Sequence, residues 1–148
     1  MTVRGKTVLA FGTFDLVHLG HVAYLRAARA RGTRLVVVIA RDQSVVATKG
    51  HAPHFSERER ARLVRELSCV DAVLLGGLRD HLSVIKRVRP DVIALGYDHA
   101  VDEDALRKDL RRLSVTPIPK IVRIRSHRPD RYASRFVCNS SSVKKRNR

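Results

Sequence analysis

GTFDLVHLGHVAYL, residues 12–25, joins an apolar run to a helical pattern through two histidines, His18 and His21, with Gly20 between them. Upstream, TVLAFG at Thr7 to Gly12 reads as a buried strand. Downstream, Leu19, Val22, Ala23, Leu25 and Ala28 recur at helical spacing, predicting a helix from Leu19 to Arg31 that Gly32 stops. The junction is therefore strand, turn, helix, with the histidines at the turn.

The same alternation continues along the chain. LVVVIA at Leu35 to Ala40 predicts a second buried strand, followed by a polar connection from Arg41 to Phe55 that contains Gly50 and Pro53. Ser56 with Glu59 forms a capping box, and Leu63, Val64 and Leu67 give that helix its apolar face. Strands are expected at Ala72 to Leu75, Val92 to Leu95 and Lys120 to Ile124. Helices are expected between them, over His81 to Arg89 and from the acidic start Asp102-Glu103-Asp104 to about Leu113. Strands separated by helices favour right-handed crossovers, so the expected fold is α/β: a Rossmann-like, doubly wound parallel sheet of about five strands in one domain.

The chain has 148 residues, 44% of them hydrophobic, enough to bury a core. No signal peptide or membrane span is expected, and the reading is a cytoplasmic protein. Cys69 and Cys138 form no Cys-x-x-Cys pair. A formal charge of +16 favours anionic partners, but 5% aromatics and no Trp leave no stacking platform for single strands. That argues against nucleic acid as the main function.

In an open parallel sheet the first strand-to-helix turn is the usual phosphate site. Backbone N–H groups at a helix start attract anions, Gly20 permits close approach, and two imidazoles can hydrogen-bond phosphate oxygens. Neither a P-loop nor a Gly-x-Gly-x-x-Gly fingerprint is present. The layout points to phosphoryl or nucleotidyl transfer.

Gly12-Thr13-Phe14-Asp15 followed by His18-Leu19-Gly20-His21 resembles the signature of the cytidylyltransferase-like nucleotidyltransferases. Within that superfamily the chain is most similar to the archaeal FAD synthases, in Ala40-Arg41-Asp42, Lys49-Gly50, Val70-Asp71, Pro90-Asp91, Gly96-Tyr97-Asp98 and the serine run Ser140 to Ser142 after Cys138. The resemblance implies ATP as donor and FMN as acceptor, with a divalent cation (Mg²⁺, Mn²⁺ or Co²⁺) whose protein ligands it does not identify. It implies a nucleotidyltransferase domain over residues 1–137 and a serine-rich, basic segment over 138–148, expected as either a short helix completing the site or a disordered basic tail.

By the same resemblance, His18, His21 and Lys49 are the catalytic candidates. Thr13, Phe14, His18, Leu19, Gly20, His21, Asp98, Arg125, Ser140 and Ser141 are the nucleotide-binding ones. His18 could instead cap the helix, and Lys49 is expected in a flexible loop, Ala47 to Phe55, from which it reaches the β- and γ-phosphates. Asp98 is suited to accept from a ribose or an amino group, or else to cap the following helix; Asp15 and Asp42 are weaker candidates for the cation. His51 and His54 lack a nearby third metal ligand.

Two other functions are open on the sequence: a cytidylyltransferase acting on glycerol 3-phosphate or a similar alcohol, and a polyanion- or RNA-binding protein on a degenerate transferase fold. An apolar helix face on a small domain is compatible with a homodimer.

Overall fold

The computed structural model describes residues 4–125. The elements run β1 (Thr7–Gly12), α1 (Leu19–Arg29), β2 (Arg34–Ile39), α2 (Asp42–Lys49), α3 (Glu57–Arg65), β3 (Ala72–Leu75), α4 (Leu82–Val88), β4 (Val92–Leu95), α5 (Glu103–Arg112) and β5 (Lys120–Arg123). All five strands are parallel, in the order β3-β2-β1-β4-β5. The expected Rossmann-like sheet is present, and its order reverses at β1, so a crevice opens between the carboxyl ends of β1 and β4.

The strands are apolar on both sides because both sides are covered. Val8, Ala10, Val37 and Ile39 belong to a core shared with Leu25 and Ala28 of α1 and Ala61 and Val64 of α3. Leu9, Val36, Val38, Ile93 and Leu95 belong to a second core with Val84 and Ile85 of α4 and Leu110 of α5. A one-residue register slip would exchange the two sets.

Several expectations need correction. The connection after β2 is not irregular: Asp42–Lys49 is a helix, with Asp42 in its first turn and Gly50 ending it in the left-handed region at φ 76°. Helix α1 ends at Arg29, two residues early, and Gly32 acts through close approach, because a Cβ there would meet the Lys6 carbonyl oxygen at 2.6 Å. Helix α4 is shorter than His81 to Arg89, and β2 and β5 each end one residue earlier than expected. Asp98 does not cap α5, since Asp102 Oδ1 accepts from the Asp104 and Ala105 N–H groups.

Candidate active site

Several residues of the Gly12 to His21 turn have separate tasks. A Cβ on Gly12 would lie 2.5 Å from the Phe14 ring, so glycine leaves room for that ring to fold back over the strand end. Phe14 is buried and adopts φ 53°, and its ring meets His21 edge-on at a centroid distance of 5.4 Å. The Asp15 carboxylate accepts from the His54 and Phe55 N–H groups at 2.7 and 3.1 Å and lies 3.0 Å from His54 Nδ1. Burial pulls the Asp15 acid upward, but these three partners outweigh it and hold it below the ordinary value.

The histidines cap α1 and each other. His18 Nδ1 accepts from the Gly20 N–H at 3.1 Å, and His21 Nδ1 accepts from the His18 N–H at 3.2 Å. A neutral imidazole with an accepting Nδ1 carries its proton on Nε2, so the capping box fixes both tautomers as Nε2–H donors. The rings stack with centroids 3.9 Å apart. Capping and phosphate binding, alternatives on the sequence, are thus compatible uses of opposite ring nitrogens. Of the helix-start N–H groups, that of Gly20 is engaged by His18 Nδ1.

Burial favours the neutral form of both imidazoles. It is the main cause that brings His21 to about 4, reinforced by His18 and by the Lys49 ammonium and opposed by Asp98. His18 is lowered by burial as well, again against Asp98. The influence of Lys49 on His21 places its charge at the same site, although it sits at the end of α2 rather than in a flexible loop.

Sequence reasoning missed His99. Its Nδ1 accepts from the Gly96 N–H at 3.1 Å, giving a third fixed Nε2–H, and burial pulls it down against the opposing Asp98 charge. The loop that carries Asp98 and His99 is held by Arg123, whose guanidinium donates to the carbonyls of Gly96, His99 and Val101 and to Glu103 Oε1. Tyr24 of α1 closes the crevice floor, donating at 2.7 Å to the Ala94 carbonyl on β4, and its ring packs edge-on against His99.

Arg60, only 1% exposed, was missed too. Its guanidinium donates to the carbonyls of Phe55, Thr13 and Ala40 and, at 2.7 Å, to Asp42 Oδ1, tying the ends of β1 and β2 to α2 and α3. Its place was readable: Arg60 precedes buried Val64 by four residues, on the apolar face of α3.

Residues of the turn, with Tyr24 and His99, line one cavity of about 910 Å³. Thr13, Phe14, His18, Gly20, His21, Lys49, Asp98 and Arg125 line it; Leu19 does not, being 58% exposed. Ser140, Ser141, Ser142, Arg128 and Cys138 lie outside the described residues. Among the described residues no three His, Cys, Asp or Glu side chains cluster as a metal site, and Asp15 and Asp42 are engaged by His54 and Arg60. No described helix is long and apolar enough to cross a membrane.

Comparison with known proteins agrees with this geometry. Residues 9–146 match the model of the cytidylyltransferase-like family. FAD synthase of Thermoplasma volcanium is 41% identical over 94% of this chain and 92% of its own. FAD synthase of Methanothermobacter thermautotrophicus is 46% identical over 72% of each chain. Among solved structures, a Thermoplasma volcanium protein titled lipopolysaccharide core biosynthesis protein superposes with a TM-score of 0.78 at 41% identity, covering 84% of this chain and 99% of that one. Pantothenate synthetase of Thermus thermophilus, at 17% identity and a TM-score of 0.58 over 89% of this chain and 61% of that one, shares the fold.

Proposed function

This chain belongs to the cytidylyltransferase-like family, and from that premise we propose that it is an FAD synthase. It transfers the AMP moiety of ATP to the phosphate of FMN. A phosphate oxygen of FMN attacks the α-phosphorus of ATP, the new P–O–P bond forms, the bond between the α-phosphorus and the bridging oxygen breaks, and pyrophosphate leaves. A phosphate monoester is already mostly anionic at pH 7, with a second pKa of about 6, so the protein need not remove a proton from the nucleophile.

The observation that carries the transferase assignment is the mutual cap of His18 and His21. Two neutral Nε2–H donors, pre-oriented by backbone N–H groups at a helix start, suit phosphate oxygens whose charge shifts during displacement. Lys49, exposed at the end of α2 and electrostatically coupled to His21 and His99, is the cation for the β- and γ-phosphates. Asp98 and His99 offer an acceptor and a donor to the nucleoside.

The donor set suits a hard cation, Mg²⁺, Mn²⁺ or Co²⁺, held chiefly by the triphosphate, with Asp98 a carboxylate of the same cavity whose charge acts on both imidazoles. When bound, such an ion supplies charge neutralisation of the phosphates.

The test is incubation of the protein with FMN, a divalent cation and either ATP or CTP, with chromatographic separation of the flavins. FAD is expected with ATP. No new flavin with either nucleotide would overturn the reading.

A further inference from the structure

The cavity has two unlike walls, and they belong to opposite faces of the sheet. On the α1 side stand His18, His21, Tyr24 and His99, with Asp98 and Lys49 electrostatically coupled to them. On the α4/α5 side the lining is apolar: Phe11 and Val38, paired across β1 and β2, and Leu95 of β4 form one surface, while Leu82 and Ile85 of α4 and Leu106 of α5 form the other. Phe11, Leu82 and Leu106 are only partly buried in that core, so each has surface left for a ligand. The polar members contributed near β3 are Arg41, occupied by the Gly76 carbonyl and Glu57, and exposed His81.

Two substrates must meet at His18 and His21 with their phosphates together and their ring systems apart. The ring systems differ in what they need. Adenine carries hydrogen-bonding atoms around most of its perimeter, and each left unpartnered against apolar side chains costs about 1–3 kcal/mol. Isoalloxazine has a dimethylbenzene end with no polar atom and a larger apolar area to bury. An apolar chamber therefore discriminates in favour of the flavin, and the Asp98–His99 side in favour of adenosine.

We infer that the chamber between Phe11, Val38 and Leu95 on the sheet and Leu82, Ile85 and Leu106 on α4 and α5 is the subsite for the flavin ring of FMN. This rests on the FAD synthase reading. The full chain binds FMN with its dimethylbenzene end inward, and ATP approaches from the other side of the paired histidines.

The experiment compares wild-type protein with Leu82→Asn, Leu82→Met and Asp98→Asn, measuring FMN binding by quenching of flavin fluorescence and KM for each substrate. Leu82→Asn is expected to weaken FMN binding and raise its KM at least about tenfold, with KM for ATP changing less than about twofold. Leu82→Met should keep both values near wild type, and Asp98→Asn should raise KM for ATP alone. A rise in KM for ATP but not FMN in Leu82→Asn would overturn the inference, placing adenine in the chamber. Should Leu82→Asn fail to fold, the visible absorption of FMN bound to wild-type protein decides: vibronic fine structure is expected in an apolar chamber, and a water-like band would overturn the inference. Absence of FAD formation by the wild type would instead overturn the reading on which the inference rests, so the two failures are separable.

Discussion

His18 performs two tasks with two nitrogens, and substitution can separate them. Asparagine caps helices well but lacks an imidazole Nε2–H, so His18→Asn is expected to keep the thermal midpoint within a few degrees while kcat falls about 10²–10³-fold, the usual cost of one lost transition-state donor. His18→Ala should lose the cap as well, at about 1 kcal/mol. Thermal melts beside steady-state kinetics check both. His21 gives a pH prediction. Its folded value of about 4 lies below the unfolded 6.5, so between those values the unfolded chain binds more protons. The stability it contributes is present above pH 6.5 and lost as pH falls toward 4. In a proton NMR titration the His21 ring should move with a midpoint near 4 and stay flat above 6.5; a midpoint at 6.5 would contradict the neutral-donor account. At this scale the sequence disclosed the His-x-Gly-His pair because a short string carried it. It did not disclose His99, whose role depends on a Gly96 N–H and on Tyr24, 75 residues earlier in the chain.

Helices α2 and α3 are joined through Arg60, and the site depends on the joint. Replacing Arg60 by Met removes the donor from three carbonyls, leaving polar groups partly unsatisfied at about 1–3 kcal/mol each. A fall of roughly 10 °C in thermal midpoint is expected, on the usual slope of a few degrees per kcal/mol for a chain of this size. Activity should fall with it, because the Thr13 carbonyl and the left-handed Phe14 beside it lose their anchor. Arg62→Met, on the exposed side of the same helix, should stay within about 0.5 kcal/mol of wild type in a denaturant titration. Helix α3 was readable from its Ser56–Glu59 capping box, α5 from its acidic start. Helix α2 was not: eight residues with one buried side chain, Val45, give almost no periodic signal, and Gly50 reads equally as loop or helix stop. The same ambiguity misplaced Lys49.

The whole molecule carries a net charge of +16 while its proposed substrates are anions. Raising ionic strength from about 0.01 M to about 0.15 M shortens the screening length from about 30 Å to about 8 Å, so KM for ATP and FMN should rise several-fold with little change in kcat. The folded state should melt at higher temperature in the same salt, because self-repulsion is screened. Kinetics and melts over a salt series test both, and a KM independent of salt would remove long-range attraction from the account. The parallel sheet was legible at this scale because apolar strands alternating with helices admit few right-handed arrangements; its strand order, β3-β2-β1-β4-β5, was not, because more than one order satisfies that rule. The division of the cavity into polar and apolar walls was not, since Phe11, Leu82 and Leu106 meet only after three crossovers. Transfer of AMP to a flavin phosphate can be followed by the fate of a label on ATP. With ATP labelled at the α-phosphorus, FAD should acquire the label one for one with FMN consumed, and with γ-labelled ATP the label should leave entirely in pyrophosphate. Label from the γ-position in the flavin product, or none from the α-position, would contradict it.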